Sequence, residues 1–111
     1  IVRYAPHQDA SYSYERFSQW IDPILMVLIE HGKGLECNTG GLRYGLSQPN
    51  PSRRILKRYR ELGGEIITIG SDAHTPEYLG YGFQECRRFL LRCGFRYYTV
   101  FHGRKPEFIP L

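Results

Sequence analysis

Helical and extended patterns alternate along this chain, and the alternation is the feature that most restricts its fold. Amphipathic helices are predicted from three- and four-residue apolar spacing, and strands from short β-branched runs. The predicted helices cover about residues 13–31, 50–62 and 83–93, and the predicted strands about residues 35–39, 65–69 and 96–101. Strands joined by connections of helical length favour a parallel sheet with right-handed crossovers. The pattern predicts an α/β protein of parallel β/α units, although three strands do not close a barrel.

Proline and glycine indicate where these elements end. Asp22-Pro23 interrupts the first helix, so we expect either a kink at Pro23 or a restart with Asp22 as the cap. Asn50-Pro51-Ser52 is typical of a helix start, with Pro51 suited to the first turn. A long irregular loop, a polar turn and a short extended tail are predicted for residues 40–50, 102–106 and 108–111, respectively.

A carboxylate and an imidazole follow the second predicted strand. Asp72 and His74 come just after the β-branched run at residues 65–69, and carboxyl ends of parallel strands are where ligands bind. Side chains two residues apart on an extended backbone point to the same side. Together the two residues are a plausible pair of ligands for a divalent metal. The alternative is that Asp72 caps a short turn and His74 is an exposed loop residue.

Size and composition exclude several classes of protein. With 111 residues the chain is one domain at most, and it has neither a signal-peptide pattern nor a membrane-spanning apolar run, so we expect a soluble, cytoplasmic protein. Three cysteines fit a reducing compartment and are expected to be small buried hydrophobes. The net charge is +4, and its densest basic group lies at residues 53–60. Such a group is usually a solvated helix face, so we do not expect nucleic-acid binding, and an anionic small molecule accounts for local arginines equally well.

Four sequence blocks in order resemble the carboxy-terminal portion of a histidinol-phosphate phosphatase of the polymerase-and-histidinol-phosphatase (PHP) superfamily. The blocks are GLECNTGGLR at residues 34–43, IGSDAH at 69–74, LGYGF at 79–83 and TVFHGRKP at 99–106. The resemblance implies that residues 1–111 are a partial PHP domain, the C-terminal part of a distorted (β/α) barrel. It also implies a trinuclear cluster of divalent ions (zinc, manganese or iron) that hydrolyses L-histidinol phosphate to L-histidinol in histidine biosynthesis.

The resemblance assigns roles to five residues of this chain. Asp72 and His74 match the last two metal ligands of the family and carry its catalysis. Arg43 matches a phosphate-contacting arginine, although it is otherwise a plain loop arginine. Arg3 and Tyr4 resemble an Arg-Tyr pair that follows an earlier metal-binding histidine, and would face the substrate. The implied partner is a small phosphate ester rather than a membrane, and an oligomer is compatible with the pattern.

The family's His-x-His and its other upstream ligands have no counterpart here, and we expect them to lie before Ile1. The four histidines of this chain do not replace them. Three explanations follow: a fragment of a full-length phosphatase, a truncated non-catalytic module that self-associates, or a phosphoesterase acting on a different phosphoester. We expect the first, in which the chain alone is a poor enzyme or none.

Overall fold

The computed structural model of the chain describes residues 12–111. The helices are α1 (Tyr14–Glu30), α2 (Gly40–Arg43), α3 (Arg53–Glu61) and α4 (Phe83–Arg92), with a 3-10 helix at Pro76–Tyr78. The strands are β1 (Leu35–Asn38), β2 (Ile67–Gly70), β3 (Tyr97–His102) and β4 (Lys105–Pro110). The predicted alternation of long helices and short strands is therefore confirmed up to β3.

Helix α1 runs through its proline without a break. Ser13 caps it, with the side-chain oxygen accepting from the Arg16 backbone N–H (3.4 Å). The predicted restart at Pro23 is wrong, because Pro23 lies inside one continuous helix. Asp22 does not cap a second helix, since its carboxylate accepts hydrogen bonds from the Tyr14 hydroxyl (2.7 Å) and from Arg58 (2.7 Å).

Two other boundaries differ from the prediction. Residues 40–50 are not wholly irregular, because α2 forms directly after β1. The helix expected from residue 50 begins at Arg53 instead, after Pro51. The side-chain carbonyl of Gln48 accepts from the Arg53 backbone N–H (3.3 Å), which satisfies one of the donors that a helix start leaves open.

The strands form two separate two-stranded sheets. β1 and β2 are parallel, in a register that pairs Leu35 with Ile67 and Asn38 with Gly70. β3 does not extend that sheet as a third parallel strand. It pairs antiparallel with β4, and its Thr99 hydroxyl accepts from the Ile67 backbone N–H (3.3 Å). Parallel β/α units are thus confirmed only for one strand pair, and residues 12–111 do not form a barrel.

The turn between β3 and β4 explains why the chain reverses there. Gly103 and Arg104 have φ of 54° and 67°, and they connect His102 to its partner Lys105. Two consecutive residues with positive φ are typical of the tight turn whose twist matches a hairpin. The predicted turn at residues 102–106 is therefore shorter than expected, and the predicted extended tail is a paired strand.

A single apolar core lies between the helices and the parallel strands. Its buried members are Leu25, Cys37, Leu56, Tyr59, Ile67, Cys86, Leu90, Cys93 and Phe95. The three cysteines are free and buried, as predicted. The hydrogen bond with Cys86 is the largest cause that raises the pKa of the Cys37 thiol, and burial is the second. This thiol therefore stays protonated and packs as a hydrophobic side chain. Within the part of the chain that the structure describes, no helix has the length and apolarity to cross a membrane.

Candidate functional site

The carboxyl ends of β1 and β2 lie side by side and bring two loops together. Asn38 at the end of β1 pairs with Gly70 at the end of β2. The next backbone N–H, that of Thr39, donates to the carbonyl oxygen of Gly70 (2.8 Å). The segment that starts with α2 and the segment at residues 71–75 therefore leave the sheet from the same edge, where ligands of parallel α/β proteins bind.

Asp72 and His74 do not lie on an extended backbone. β2 ends at Gly70, and Asp72 has a φ of 52°, in the left-handed region that Asp tolerates better than most residues. The argument that places both side chains on one side of a strand is therefore wrong. A different contact joins the two residues: the His74 Nδ1 lies 2.9 Å from the Asp72 carbonyl oxygen. The alternative is confirmed for His74, which is an exposed loop residue, but not for Asp72, since the 3-10 helix begins after Thr75.

Short polar contacts hold the strand ends beside Asp72. The Asn38 side chain accepts from the Gly40 backbone N–H (2.8 Å) and donates to Glu36 Oε1 (2.9 Å). A Cβ placed on Gly40 would stand 2.8 Å from Asn38 Oδ1 and 3.6 Å from Asp72 Oδ2. Glycine at position 40 thus lets the start of α2 approach the Asn38 side chain, and the Asp72 side chain lies within van der Waals reach of the same position.

Arg43 reaches across from α2 to the segment after β2. Its Nη2 donates to the Asp72 carbonyl oxygen (3.3 Å) and to the Tyr44 hydroxyl (2.7 Å). Its guanidinium carbon lies 4.7 Å from the centroid of the Tyr44 ring and 4.5 Å from that of Tyr78. Both distances are within the range of cation–π attraction. The structure therefore brings Arg43, Asp72 and His74 together, whereas Arg3 and Tyr4 lie outside the described residues.

Sequence reasoning missed the tyrosines that surround Arg43. Tyr44 and Tyr78 come from different loops, and Tyr81 packs edge-on against Tyr78 with centroids 5.9 Å apart. The Thr39 hydroxyl donates to the carbonyl oxygen of Tyr81, which ties this aromatic group to the end of β1. The sequence does show tyrosines in both polar segments that follow strand ends, Tyr44 after β1 and Tyr78 and Tyr81 after β2. This recurrence could have indicated an aromatic group at the strand ends.

A complete metal site is not present in the described part of the chain. Residues 12–111 contain no group of three or more His, Cys, Asp or Glu side chains placed to hold one ion. Asp72 and His74 nevertheless offer a carboxylate oxygen and an imidazole nitrogen, which are donors of the right chemistry. The Nδ1 contact to a backbone carbonyl is also the usual outer contact of a metal-binding histidine. These two residues fit part of a ligand set.

The basic face of α3 is engaged in ion pairs within the molecule. Arg54 lies 3.2 Å from Glu15, and Arg58 lies 2.7 Å from Asp22. The hydrogen bond from Arg58 is the largest cause that holds the pKa of Asp22 below its ordinary value. A helix face committed to its own carboxylates gives little support to a phosphate-binding stripe, so α3 is not a second candidate site.

A cavity of about 330 Å³ lies at the other end of the strands. Its lining residues come from the end of α3, the segments before β2 and β3, the start of β3 and β4: Arg60, Glu65, Phe95, Arg96, Tyr97 and Phe108. None of the predicted site residues contributes to this lining. The candidate site is therefore the strand-end cluster rather than the cavity.

Comparison with known proteins relates the chain to one kind of enzyme. It is 38% identical over 100 residues to a probable histidinol-phosphatase of Thermotoga maritima. The aligned region covers 90% of this chain and 42% of that protein. A probable histidinol-phosphatase of Clostridium acetobutylicum is 33% identical over 86% of this chain and 37% of its own length. The histidinol-phosphatase of Lactococcus lactis is 28% identical over 96% of the chain and 39% of its length. No family model matches the sequence.

The chain is therefore homologous to histidinol-phosphatases over part of their length. It spans about two-fifths of the length of the curated relatives that it matches.

Proposed function

We propose that this chain is the carboxy-terminal part of a metal-dependent phosphomonoester hydrolase of the PHP superfamily, with residues 1–111 forming part of its PHP domain. The proposed reaction converts L-histidinol phosphate to L-histidinol and phosphate in histidine biosynthesis. The observation that carries the proposal is the 38% identity to a probable histidinol-phosphatase across 90% of this chain. The proposed compartment is the cytoplasm, which suits three free buried thiols.

Asp72 and His74 are the proposed metal ligands. The contact between His74 Nδ1 and the Asp72 carbonyl oxygen supports this assignment, because a proton held on Nδ1 leaves the lone pair on Nε2 for the metal. When bound, divalent ions lower the pKa of a coordinated water to near neutrality and neutralise phosphoryl charge. The remaining ligands of the proposed trinuclear cluster of zinc, manganese or iron are proposed to lie in a segment of the complete enzyme that corresponds to the unaligned part of the relatives.

Arg43 is the proposed phosphate-binding residue. Its Nη2 makes the hydrogen bonds to the Asp72 carbonyl oxygen and the Tyr44 hydroxyl, so Nε and Nη1 are the donors proposed for the substrate. Because the N–H groups of Nε and Nη1 point in different directions, each is proposed to donate a separate charged hydrogen bond to a phosphoryl oxygen. Its position beside the Asp72 backbone places that positive charge next to the proposed metal ligands, where negative charge develops during phosphoryl transfer. Arg3 and Tyr4 are proposed to contact the same substrate from the segment before α1.

Two other functions remain as outcomes of the test. A non-catalytic module that self-associates is the first, and the incomplete ligand set of residues 12–111 is equally compatible with it. A phosphoesterase with another substrate would keep the same metal and arginine chemistry, because both act on the phosphoryl group rather than on the alcohol.

Substrate comparison on the extended protein, meaning this chain joined to the segment encoded before Ile1, separates these functions. Phosphate release is measured from L-histidinol phosphate and an aryl phosphate, and cleavage is followed on an oligonucleotide. The proposal expects the highest kcat/KM for L-histidinol phosphate, and an Asp72→Ala protein provides the background. A higher kcat/KM for either of the other compounds contradicts the substrate assignment, and no turnover of any of them favours the non-catalytic module.

A further inference from the structure

Glu36 and Asn38 lie on the face of β1 that points away from the core. The residue between them, Cys37, is fully buried in that core, and successive side chains of a strand point to opposite faces. The two polar side chains therefore stand next to each other on the other face. There the Asn38 Nδ2 donates to Glu36 Oε1 (2.9 Å). The proposed reaction assigns no role to this carboxylate.

The Asn38 amide has its orientation fixed from two sides. Its Oδ1 accepts from the Gly40 backbone N–H (2.8 Å), and a backbone N–H can only donate. The amide nitrogen must therefore face Glu36, whose ionised carboxylate can only accept. Donor and acceptor match at both contacts, so one orientation of the amide satisfies the whole arrangement.

The Asn38 contact reaches Arg43 through α2. Gly40 is the first residue of this four-residue helix, and Arg43 is the last. The first N–H groups of a helix have no partners within it, and the Asn38 Oδ1 accepts from one of them. The start of α2, and with it the position of Arg43, therefore depends on a side chain that Glu36 orients.

The Glu36 carboxylate also lies over the end of β2. A Cβ built on Gly70 would stand 2.6 Å from Glu36 Oε2. Asp72 follows Gly70 by two residues, and its Cβ would lie 3.5 Å from a Cβ built on Gly40. Glu36 thus contacts the end of β2 directly and the start of α2 through Asn38, and these are the two segments that carry the candidate site.

We propose that Glu36 is a positioning residue of the phosphatase, which holds the Asn38 amide so that Arg43 and Asp72 meet at the strand ends. It acts as a hydrogen-bond acceptor and touches neither substrate nor metal. The inference rests on the proposed function, because Arg43 and Asp72 take their roles from it. A neutral acceptor at position 36 therefore serves as well as the carboxylate, whereas a carboxylate that bound substrate or metal could not be replaced by an amide.

Two substitutions at position 36 separate the hydrogen bond from the charge. The extended protein is assayed for phosphate release from L-histidinol phosphate and, by calorimetry, for affinity toward inorganic phosphate. Glu36→Gln keeps an oxygen that accepts from Asn38, so both values should stay within about twofold of the wild type. Glu36→Ala removes the acceptor and should lower both by roughly fivefold or more. Equal losses in the two variants, or no loss in either, overturn the proposal.

An exchange of donor and acceptor between the two positions provides an independent test. Asn38→Asp keeps an oxygen for the Gly40 N–H but sets two carboxylates against each other, so kcat/KM should fall at least about tenfold. In the double variant with Glu36→Gln, the new amide nitrogen can donate to the introduced carboxylate. Its kcat/KM should return to within about threefold of the wild type. A double variant no more active than Asn38→Asp alone overturns the proposal.

Gln84→Glu is the matched control, because it also replaces an amide by a carboxylate and lies exposed on α4. It should change kcat/KM by less than about twofold. The thermal midpoint of every variant is measured alongside. Losses of kcat/KM that follow the midpoints across the set show a merely structural role and overturn the proposal. If Asn38→Asp does not fold, the two variants at position 36 still decide.

The affinity for inorganic phosphate keeps the possible failures apart. An extended protein that releases no phosphate, but whose phosphate affinity follows the expected order of variants, contradicts only the proposed reaction. An active protein without that order contradicts only the role of Glu36. A wild-type extended protein that neither turns over nor binds phosphate overturns both.

Discussion

Substitutions that remove an aromatic ring beside Arg43 should lower kcat/KM by an amount that follows from the energy of the cation–π contact. The guanidinium carbon lies 4.7 Å from the Tyr44 ring centroid and 4.5 Å from that of Tyr78, and a cation–π contact at an exposed site contributes about 0.5–1 kcal/mol. At 1.36 kcal/mol per factor of ten, loss of one ring in Tyr78→Ala corresponds to a roughly two- to fivefold lower kcat/KM. Tyr78→Phe keeps the ring, so it should stay close to the wild type.

Removing the guanidinium itself should cost more. A charged hydrogen bond or a transition-state donor contributes roughly 1–4 kcal/mol, so Arg43→Ala should lower kcat/KM by roughly 5- to 900-fold. Arg43→Lys should fall between Arg43→Ala and the wild type, because an ammonium keeps the charge but loses the planar donor pair and the stacking. Metal content should be unchanged in all four variants, since none of them removes a proposed ligand.

Steady-state phosphate release from L-histidinol phosphate by the extended protein is the assay. Arg88→Ala is the control for loss of positive charge, because Arg88 is exposed and pairs with Glu85 on α4. Two results refute the reasoning. In one, Arg43→Ala keeps the wild-type kcat/KM. In the other, Tyr78→Phe loses as much as Tyr78→Ala, which would show that the hydroxyl and not the ring matters.

Three further predictions concern the metal, acid stability and the core. Asp72→Ala in the extended protein should lose bound metal and nearly all turnover together, and normal activity in this variant contradicts the ligand assignment. The hydrogen bond from Arg58 lowers the pKa of Asp22 in the folded state. The ionised carboxylate therefore contributes its full stabilisation above the ordinary Asp pKa, and this stabilisation is lost as the pH falls through the lowered pKa. Asp22→Asn should therefore flatten the fall of the urea midpoint below about pH 4, and an unchanged slope contradicts the coupling. Leu56→Ala should lower the free energy of unfolding by about 2–5 kcal/mol, because Leu56 is fully buried. The exposed Leu91→Ala should change that free energy by less than about 0.5 kcal/mol, and equal effects contradict the assigned core.

Local pattern predicted the three long helices and strands β1 to β3, but not α2 and not the direction in which β3 pairs. It failed where a long-range pairing decided the outcome. β4 contains Pro106 and Pro110, which argue against a strand when the segment is considered alone. Among residues 12–111, β4 pairs only with β3 and is an edge strand, so both prolines are tolerated. The predicted helix restart at Pro23 was wrong for a related reason, because the packing of α1 outweighs the local cost of a proline within it.

The candidate site was predictable in its residues but not in its geometry. The strand-end pattern indicated Asp72 and His74, and the resemblance added Arg43. The structure brings the three together, although their roles stay predictions. The positive φ of Asp72 broke the strand geometry that the prediction assumed. The contact between Arg43 and Tyr78 joins residues 35 positions apart, and no local pattern indicates such a pairing.

Metal content and phosphate release from L-histidinol phosphate, measured on the 111-residue chain beside the extended protein, test the central proposal most directly. The account predicts that only the extended protein holds metal stoichiometrically and turns over, because Asp72 and His74 supply part of a ligand set. An extended protein that holds no metal and releases no phosphate would contradict it, and the non-catalytic module would then be the better explanation.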